Sequence, residues 1–273
     1  MIQITKDMII KNTEKVLYDQ SPSFSGIVSQ ECKGKLWVDN TNAPNIAIAE
    51  SYAVGSFAFL GTDLSEGEYL HLKDFLEKEL FYDLKKNGYS CFEFSIESNT
   101  LGENILEMFK DKEIQTEKEF SYRITTIPNK IKPELPEEYQ IQKVDRIFWN
   151  MLSQGNYENK EFLTKRLLES WPSFKDFEHK SIAYCVLYEN RIVSVIVGTA
   201  SFRNVIAIDI ETEQNHRGQG LAYAMAIEFI TDCLYNDYIP QWDCVESNQN
   251  SMNLAEKLGF QKNHENTVYW FDI

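Results

Sequence analysis

The chain has 273 residues, 43% of them hydrophobic, with 42 acidic side chains against 27 basic ones and a formal net charge of −15. That balance excludes a nucleic-acid binder, because phosphates demand a basic surface, while the apolar fraction is ample for a packed core in one large or two modest domains. No apolar run approaches membrane-spanning length, and Met1 to Asp7 carries charges where a secretory leader needs an apolar stretch, so a cytoplasmic, membrane-free setting is expected.

In chain order, residues 5–19 read as an amphipathic helix with Met8, Ile9, Val16 and Leu17 on its apolar side. Strands follow at Lys35–Val38 and within Ala47–Leu60. Ser65 and Glu68 form a capping box ahead of a long helical pattern closed by Gly88. Phe92, Phe94 and Ile96 alternate as a strand, Thr100 and Glu103 open another helix, and Phe120, Tyr122 and Ile124 alternate again. Residues 127–139 hold Pro128, Pro133 and Pro136 without periodicity and read as a linker between domains 1–126 and 140–273. Beyond it, Lys143–Leu152 and Lys160–Ser170 read as helices, and Ser181–Tyr188 and Ile192–Ala200 as strands joined at Glu189–Arg191. The chain closes on a strand at Thr267–Phe271.

The five cysteines (Cys32, Cys91, Cys185, Cys233, Cys244) show no metal-ligand spacing. Cys91, Cys185 and Cys244 sit in apolar strand patterns, so buried thiols are expected and no metal site. The acidic surplus suits a cationic ligand such as a polyamine or amino sugar, beside its plainer role in solubility.

The stretch carrying most chemistry is Gln214–Ala222, Gln-Asn-His-Arg-Gly-Gln-Gly-Leu-Ala. It lies between an alternating strand, Val205–Glu211, and a mostly apolar helix from Leu221. Glycines there admit close approach of a ligand, and free N–H groups at a helix start face an anion. Arg217 adds positive charge. A P-loop is a poor alternative, because no Gly-Lys-Ser/Thr follows the glycines. One strand later, Trp242–Val245 leads into Glu246-Ser-Asn-Gln-Asn-Ser-Met-Asn-Leu-Ala-Glu-Lys-Leu-Gly-Phe260.

This order resembles the GNAT superfamily of acetyl-CoA-dependent N-acyltransferases, strongly over the last third of the chain. The Trp-x-Cys strand with the Leu-Ala-x-Lys-Leu-Gly-Phe ending is most similar to the branch that includes zwittermicin A resistance acetyltransferases. The resemblance implies a mixed α/β GNAT fold in the C-terminal half. It also implies that Arg217, Gly218, Gln219, Gly220, Leu221 and Ala222 hold the pyrophosphate of acetyl-CoA. Glu211 and Thr212 would lie along its pantetheine arm, and Asn248 and Ser251 would also contact the cofactor. Acceptance of the substrate proton falls to Glu211 first and Asp209 second, both on the polar side of the strand; a solvated strand face or simple cation recognition is the alternative for each. The tyrosine that the family uses to protonate the leaving thiolate is replaced by Ala255, which leaves Ser251, water or another tyrosine for that step.

The two halves share an element order, and Glu97-Ser-Asn followed by Asn104-Ile-Leu-Glu matches Glu246-Ser-Asn followed by Asn253-Leu-Ala-Glu at the same spacing. The segment Gly61–Glu68 lacks an arginine and a Gly-x-Gly, so the N-terminal half is expected to be a degenerate GNAT-like domain without a cofactor loop. Two functions follow. One is an N-acetyltransferase, monomer or homodimer, acting on a small-molecule primary amine such as an antibiotic or an amino-acid-like metabolite. The other is a non-catalytic CoA-binding or protein-interaction module, with Ala255 as the trace of lost turnover.

Overall fold

The structure, a computed structural model, describes residues 1–98, 100–128 and 133–273. Contacts divide the chain into two compact units, Met1–Glu119 with Glu265–Ile273, and Phe120–His264. The interdomain stretch expected at 127–139 falls partly on residues 129–132, outside the described residues, as does Asn99 of the repeated fragment.

The first unit contains β1 (Ile2–Gln3), α1 (Pro22–Val28), β2 (Gly34–Val38), β3 (Ile46–Ser51) and β4 (Ser56–Gly61). Next come α2 (Glu66–Phe75), a wide helical turn at Leu76–Leu80, α3 (Phe81–Lys86), β5 (Cys91–Glu97), α4 (Gly102–Met108) and the start of β6 (Gln115–Arg123). β1 to β4 run antiparallel in sequence, and β4 then pairs in parallel with β5. Phenylalanine alternation explains the core: Phe57, Phe59, Phe92 and Phe94 all point to one side, where Phe81, Phe109 and Phe271 meet them. Phe59 and Phe94 meet edge to face at 5.4 Å, and Phe109 and Phe271 meet tilted at 4.8 Å. Each fully buried ring contributes roughly 1.5–3 kcal/mol over an exposed one, and each such pair about 0.5–1.5 kcal/mol more.

The N-terminal helix expected over 5–19 does not form. Only a single 3₁₀ turn at Glu14–Val16 is present, and Asn12 takes φ of 49°, which interrupts a right-handed helix. The first helix is instead α1, whose residues are all buried. Thr100 does not cap α4: Ser98 Oγ accepts from the Thr100 and Leu101 backbone N–H groups at 3.2 and 3.0 Å. Cys91 is half-buried, whereas Cys185, Cys233 and Cys244 are buried.

The second unit has β7 (Tyr139–Lys143), α5 (Arg146–Gln154), α6 (Glu161–Ser170), α7 (Phe174–Lys180), β8 (Ala183–Tyr188), β9 (Arg191–Phe202) and β10 (Val205–Thr212). α8 (Leu221–Tyr235), β11 (Ile239–Val245), α9 (Gln249–Leu258) and β12 (Gln261–Asp272) follow, β12 ending in the first unit. β7 to β10 are antiparallel in sequence, β10 pairs in parallel with β11, and β6 lies on the other side of β11. On one face α8 and α9 cover Ile196, Ile206, Trp242 and Cys244. On the other, α6 packs on β9, with Leu163, Leu167 and Trp171 fully buried. The Trp171 indole donates to the Gly198 carbonyl at 2.9 Å and fixes this side chain in the core. Each unit thus repeats four antiparallel strands, a long helix, a parallel strand and a shorter helix. Among the described residues no helix is long and apolar enough to cross a membrane.

Candidate functional site

The site begins where two strands part. β10 and β11 pair at Val205 with Ile239, Ile206 with Pro240 and Ala207 with Gln241, and form no further pair among the described residues. Yet β10 continues to Thr212 and β11 to Val245. The separation coincides with a bulge in the β9–β10 ladder between Ala207 and Ile208, which bends β10 away. The corresponding strands of the first unit stay together, pairing from Phe57 with Phe94 to Leu60 with Glu97. An open wedge therefore exists in one unit and a closed ladder in the other.

The helix starts differ in the same sense. α8 is preceded by Gly220 at φ 78° with no side-chain cap, and Gly218 stands at φ 79°. A Cβ on either glycine would meet nothing within 4 Å, so the space above the helix start is open. Free N–H groups and the helix dipole there favour an anion. At α2 the Ser65–Glu68 capping box fills that position: the Glu68 carboxylate accepts from the Ser65 backbone N–H at 2.8 Å and Ser65 Oγ accepts in return. Hydrogen bonds from Ser65, then from Asn45, hold the Glu68 carboxyl below its ordinary range. A carboxylate of the protein already sits where an external anion would.

From the open helix start a cleft of about 530 Å³ runs between the parted strands, lined among others by Glu211, Thr212, Arg217, Ala222, Asn248 and Ser251. Six of the sequence-predicted residues meet in it. Arg217 folds back so that its Nε donates to the Thr212 carbonyl at 3.0 Å. Asn248 caps α9, its Oδ1 accepting from the Ser251 N–H at 3.2 Å. Ser251 Oγ accepts from the Trp242 indole at 2.8 Å, which leaves its own hydroxyl proton to donate elsewhere. Ala255, one turn further along α9, is fully buried. Gly218, Gln219 and Gly220 form the exposed loop, and Leu221 is anchored in the core. His216 beside them is fixed by the Tyr139 hydroxyl, 3.0 Å from its Nδ1.

The two expected acids carry a partner that no sequence pattern signalled. Arg166 of α6 lies across both: its Nε donates to Asp209 Oδ2 at 2.7 Å and its Nη2 to Glu211. Ile208 and Ile210 pack with the α8 side, so Asp209 and Glu211 project to the opposite face, toward α6. A proton taken by either carboxylate breaks an ion pair. Glu213, next in the row, is held by Arg191, whose hydrogen bond keeps its carboxyl below the usual range.

Asp243, also missed, has the opposite environment. Trp242 and Cys244 point into the α8–α9 core, so Asp243 shares the α6 face with Gln241. Gln241 Nε2 donates to its two oxygens at 2.9 and 3.1 Å, and Arg123 Nε donates to Gln241 Oε1 at 2.8 Å. Burial outweighs the hydrogen bonds from Ser121 and Gln241 and the charge of Arg123, and the carboxyl is pushed up to about 6. Among the described residues no group of three or more His, Cys, Asp or Glu is placed to hold a metal.

Against known proteins, a family model described as GNAT acetyltransferase matches residues 16–269. An uncharacterised N-acetyltransferase of Bacillus subtilis (strain 168), YdfB, is 27% identical over 263 residues, covering 94% of each chain. Among solved structures, a GCN5-related N-acetyltransferase-like protein from Streptococcus suis 89/1591 superposes with a TM-score of 0.58 at 20% identity, covering 87% of this chain and 88% of its own. A tandem GNAT protein from the clavulanic acid biosynthesis pathway gives 0.50 at 8% identity, covering 89% and 83%. A GCN5-related N-acetyltransferase from Kribbella flavida gives 0.55 at 12% identity, covering 93% of each.

Proposed function

The chain belongs to the GNAT acetyltransferase family, and from that premise we propose that it binds one acetyl-CoA in the cleft of the second unit and transfers the acetyl group to a primary amine of a small molecule. The observation that carries this reading is the contrast between the units: the uncapped, open start of α8 beside parted strands, against the self-capped start of α2 beside a closed ladder. The first unit is then a degenerate partner domain without cofactor, and the second unit, Phe120–His264, is the catalytic domain.

The residues present fit the cofactor. Backbone N–H groups of Gly218 to Ala222 and the charge of Arg217 hold the pyrophosphate. The unpaired stretch of β10 up to Glu211 and Thr212 offers backbone to the pantetheine arm, and Asn248 contributes from the far wall. The bound cofactor supplies the activated thioester. The protein's part is to position the amine, exclude water and manage protons. Ser251, its oxygen held by Trp242, donates a hydrogen bond toward the departing sulfur in place of the tyrosine that Ala255 lacks. Arg166 keeps Asp209 and Glu211 as a fixed charged wall beside the acceptor. The Leu-Ala-x-Lys-Leu-Gly-Phe helix of α9 supports placement in the zwittermicin A resistance-type branch, with an antibiotic or an amino-acid-like metabolite as acceptor. The net charge of −15 favours a cationic one.

Ala255 also supports a second reading, a CoA-binding module without turnover. Thiol release from acetyl-CoA over a panel of primary amines separates the two: amine-dependent release is expected. Tight acetyl-CoA binding with no release over any amine favours the module.

A further inference from the structure

The proposed acetyl transfer requires a group that receives the proton of the acceptor. Amines of this kind are ammonium ions near neutral pH, and only the free base attacks a thioester. Asp209 and Glu211 are engaged by Arg166 and Glu213 by Arg191. A different carboxylate stands at the point where the strands part. Gln241 and Ala207 form the last β10–β11 pair, and Asp243 is two residues beyond it on β11, as Asp209 is on β10. Both project to the α6 face, on either side of the opening.

We propose that Asp243 is the proton acceptor for the amine, a role that rests on the proposed acetyl transfer in this cleft. The groups facing it are Ser121 and Arg123 from β6 and Gln241 from its own strand; Asp209, held by Arg166, occupies the matching position on β10. Arg123 Nε donates to Gln241 Oε1, and the Gln241 amide in turn donates to Asp243, so the polarisation is passed along the chain of bonds. Asp243 is therefore held half-buried by the Gln241 amide, which reaches both of its oxygens, and by the Ser121 hydroxyl. A carboxyl that titrates near 6 is ionised at neutral pH yet accepts a proton more readily than a surface aspartate.

The step balances. An ammonium N–H bond breaks and its proton passes to an Asp243 oxygen. The freed nitrogen lone pair forms the C–N bond to the thioester carbonyl, and the C–S bond breaks. The acylated nitrogen sheds its second proton, which passes by way of the Ser251 hydroxyl to the departing thiolate, and Asp243 returns the first proton to water once the amide has left. Desolvation on entry into the cleft lowers the basicity of the ammonium and narrows its gap to the carboxylate.

The test is Asp243→Asn in the full chain, with Asp243→Ala as a second variant. Acetyl-CoA affinity is measured by calorimetry, and thiol release from acetyl-CoA with spermidine, glycinamide and ethanolamine is followed from pH 5 to pH 9. Expected are acetyl-CoA affinities within about twofold of wild type and a kcat lower by roughly 100-fold or more. The acid limb of the wild-type profile, with an apparent pKa near 6, should vanish in the variants. Wild-type kcat with an unchanged acid limb in Asp243→Asn overturns the role, as does acetyl-CoA binding by the wild type with no release on any of the amines. Failure of the folded wild type to bind acetyl-CoA contradicts the proposed function itself.

Discussion

The Trp242 indole donates its hydrogen bond to the Ser251 hydroxyl across 2.8 Å, joining β11 to the first turn of α9 on the wall of the cleft. An indole has one donor and no acceptor, so the Ser251 proton cannot be spent on Trp242 and points elsewhere. Ser251→Ala should lower kcat on the order of 100-fold while leaving acetyl-CoA affinity nearly unchanged. Trp242→Phe keeps the ring packing on Phe260 and removes only the donor, so its effect should be smaller and in the same direction. Steady-state kinetics on both variants check this; equal kcat in Ser251→Ala and wild type removes the serine from proton transfer.

Arg166 bridges α6 to β10 by two carboxylates at once. Asp209 and Glu211 are 42% and 43% exposed, so water screens much of the attraction. Arg166→Ala leaves two like charges side by side and should cost about 1–2 kcal/mol at low salt, less at high salt. Urea unfolding at two ionic strengths measures it. The same variant should raise KM for a cationic amine less than it lowers kcat, since positioning of the wall is what is lost.

Asp243 makes a pH-dependent contribution of unusual sign. Its folded-state carboxyl titrates near 6 because burial disfavours the charge, against an ordinary 3.8. Between those values the native chain binds more protons than the unfolded one, so this group's contribution to stability falls as pH rises through that window and stays low above it. Asp243→Asn removes the charge. Its stability relative to wild type should therefore rise between pH 4 and pH 7, by up to about 3 kcal/mol. Chemical denaturation of both proteins at the two pH values gives the double difference; a flat difference places the carboxyl in ordinary solvent.

Much of the second unit is legible from the chain because its signals are local. The alternation of Val205–Glu211, the glycines before Leu221 and the Asn248 cap each lie within a few residues of what they build. The Ser65–Glu68 box likewise forms as read. Local signals failed where burial or distance decides. α1 contains Pro22, Gly26 and two serines, poor helix formers, and forms because all seven residues are buried. β7, Tyr-Gln-Ile-Gln-Lys, is too short and too polar to stand out, and the helical reading from Lys143 overran its end. Arg166 meets its acids 43 and 45 residues away, and Arg123 meets Gln241 118 residues away, so no spacing rule announces either. The β9–β10 bulge that opens the wedge depends on two strands together and has no mark in one of them.

On the proposed function, the open start of α8 holds the acetyl-CoA pyrophosphate. Gly220 has φ of 78°, which strains the backbone of any larger residue, and a Cβ there meets nothing within 4 Å, so an indole at this position extends into the open space before α8. The direct measurement is calorimetry of acetyl-CoA with wild type and Gly220→Trp, the fold of each verified by circular dichroism. The expected result is saturable binding of one acetyl-CoA per chain by the wild type and none by the variant. Equal binding by both, or two sites per chain, would contradict the account.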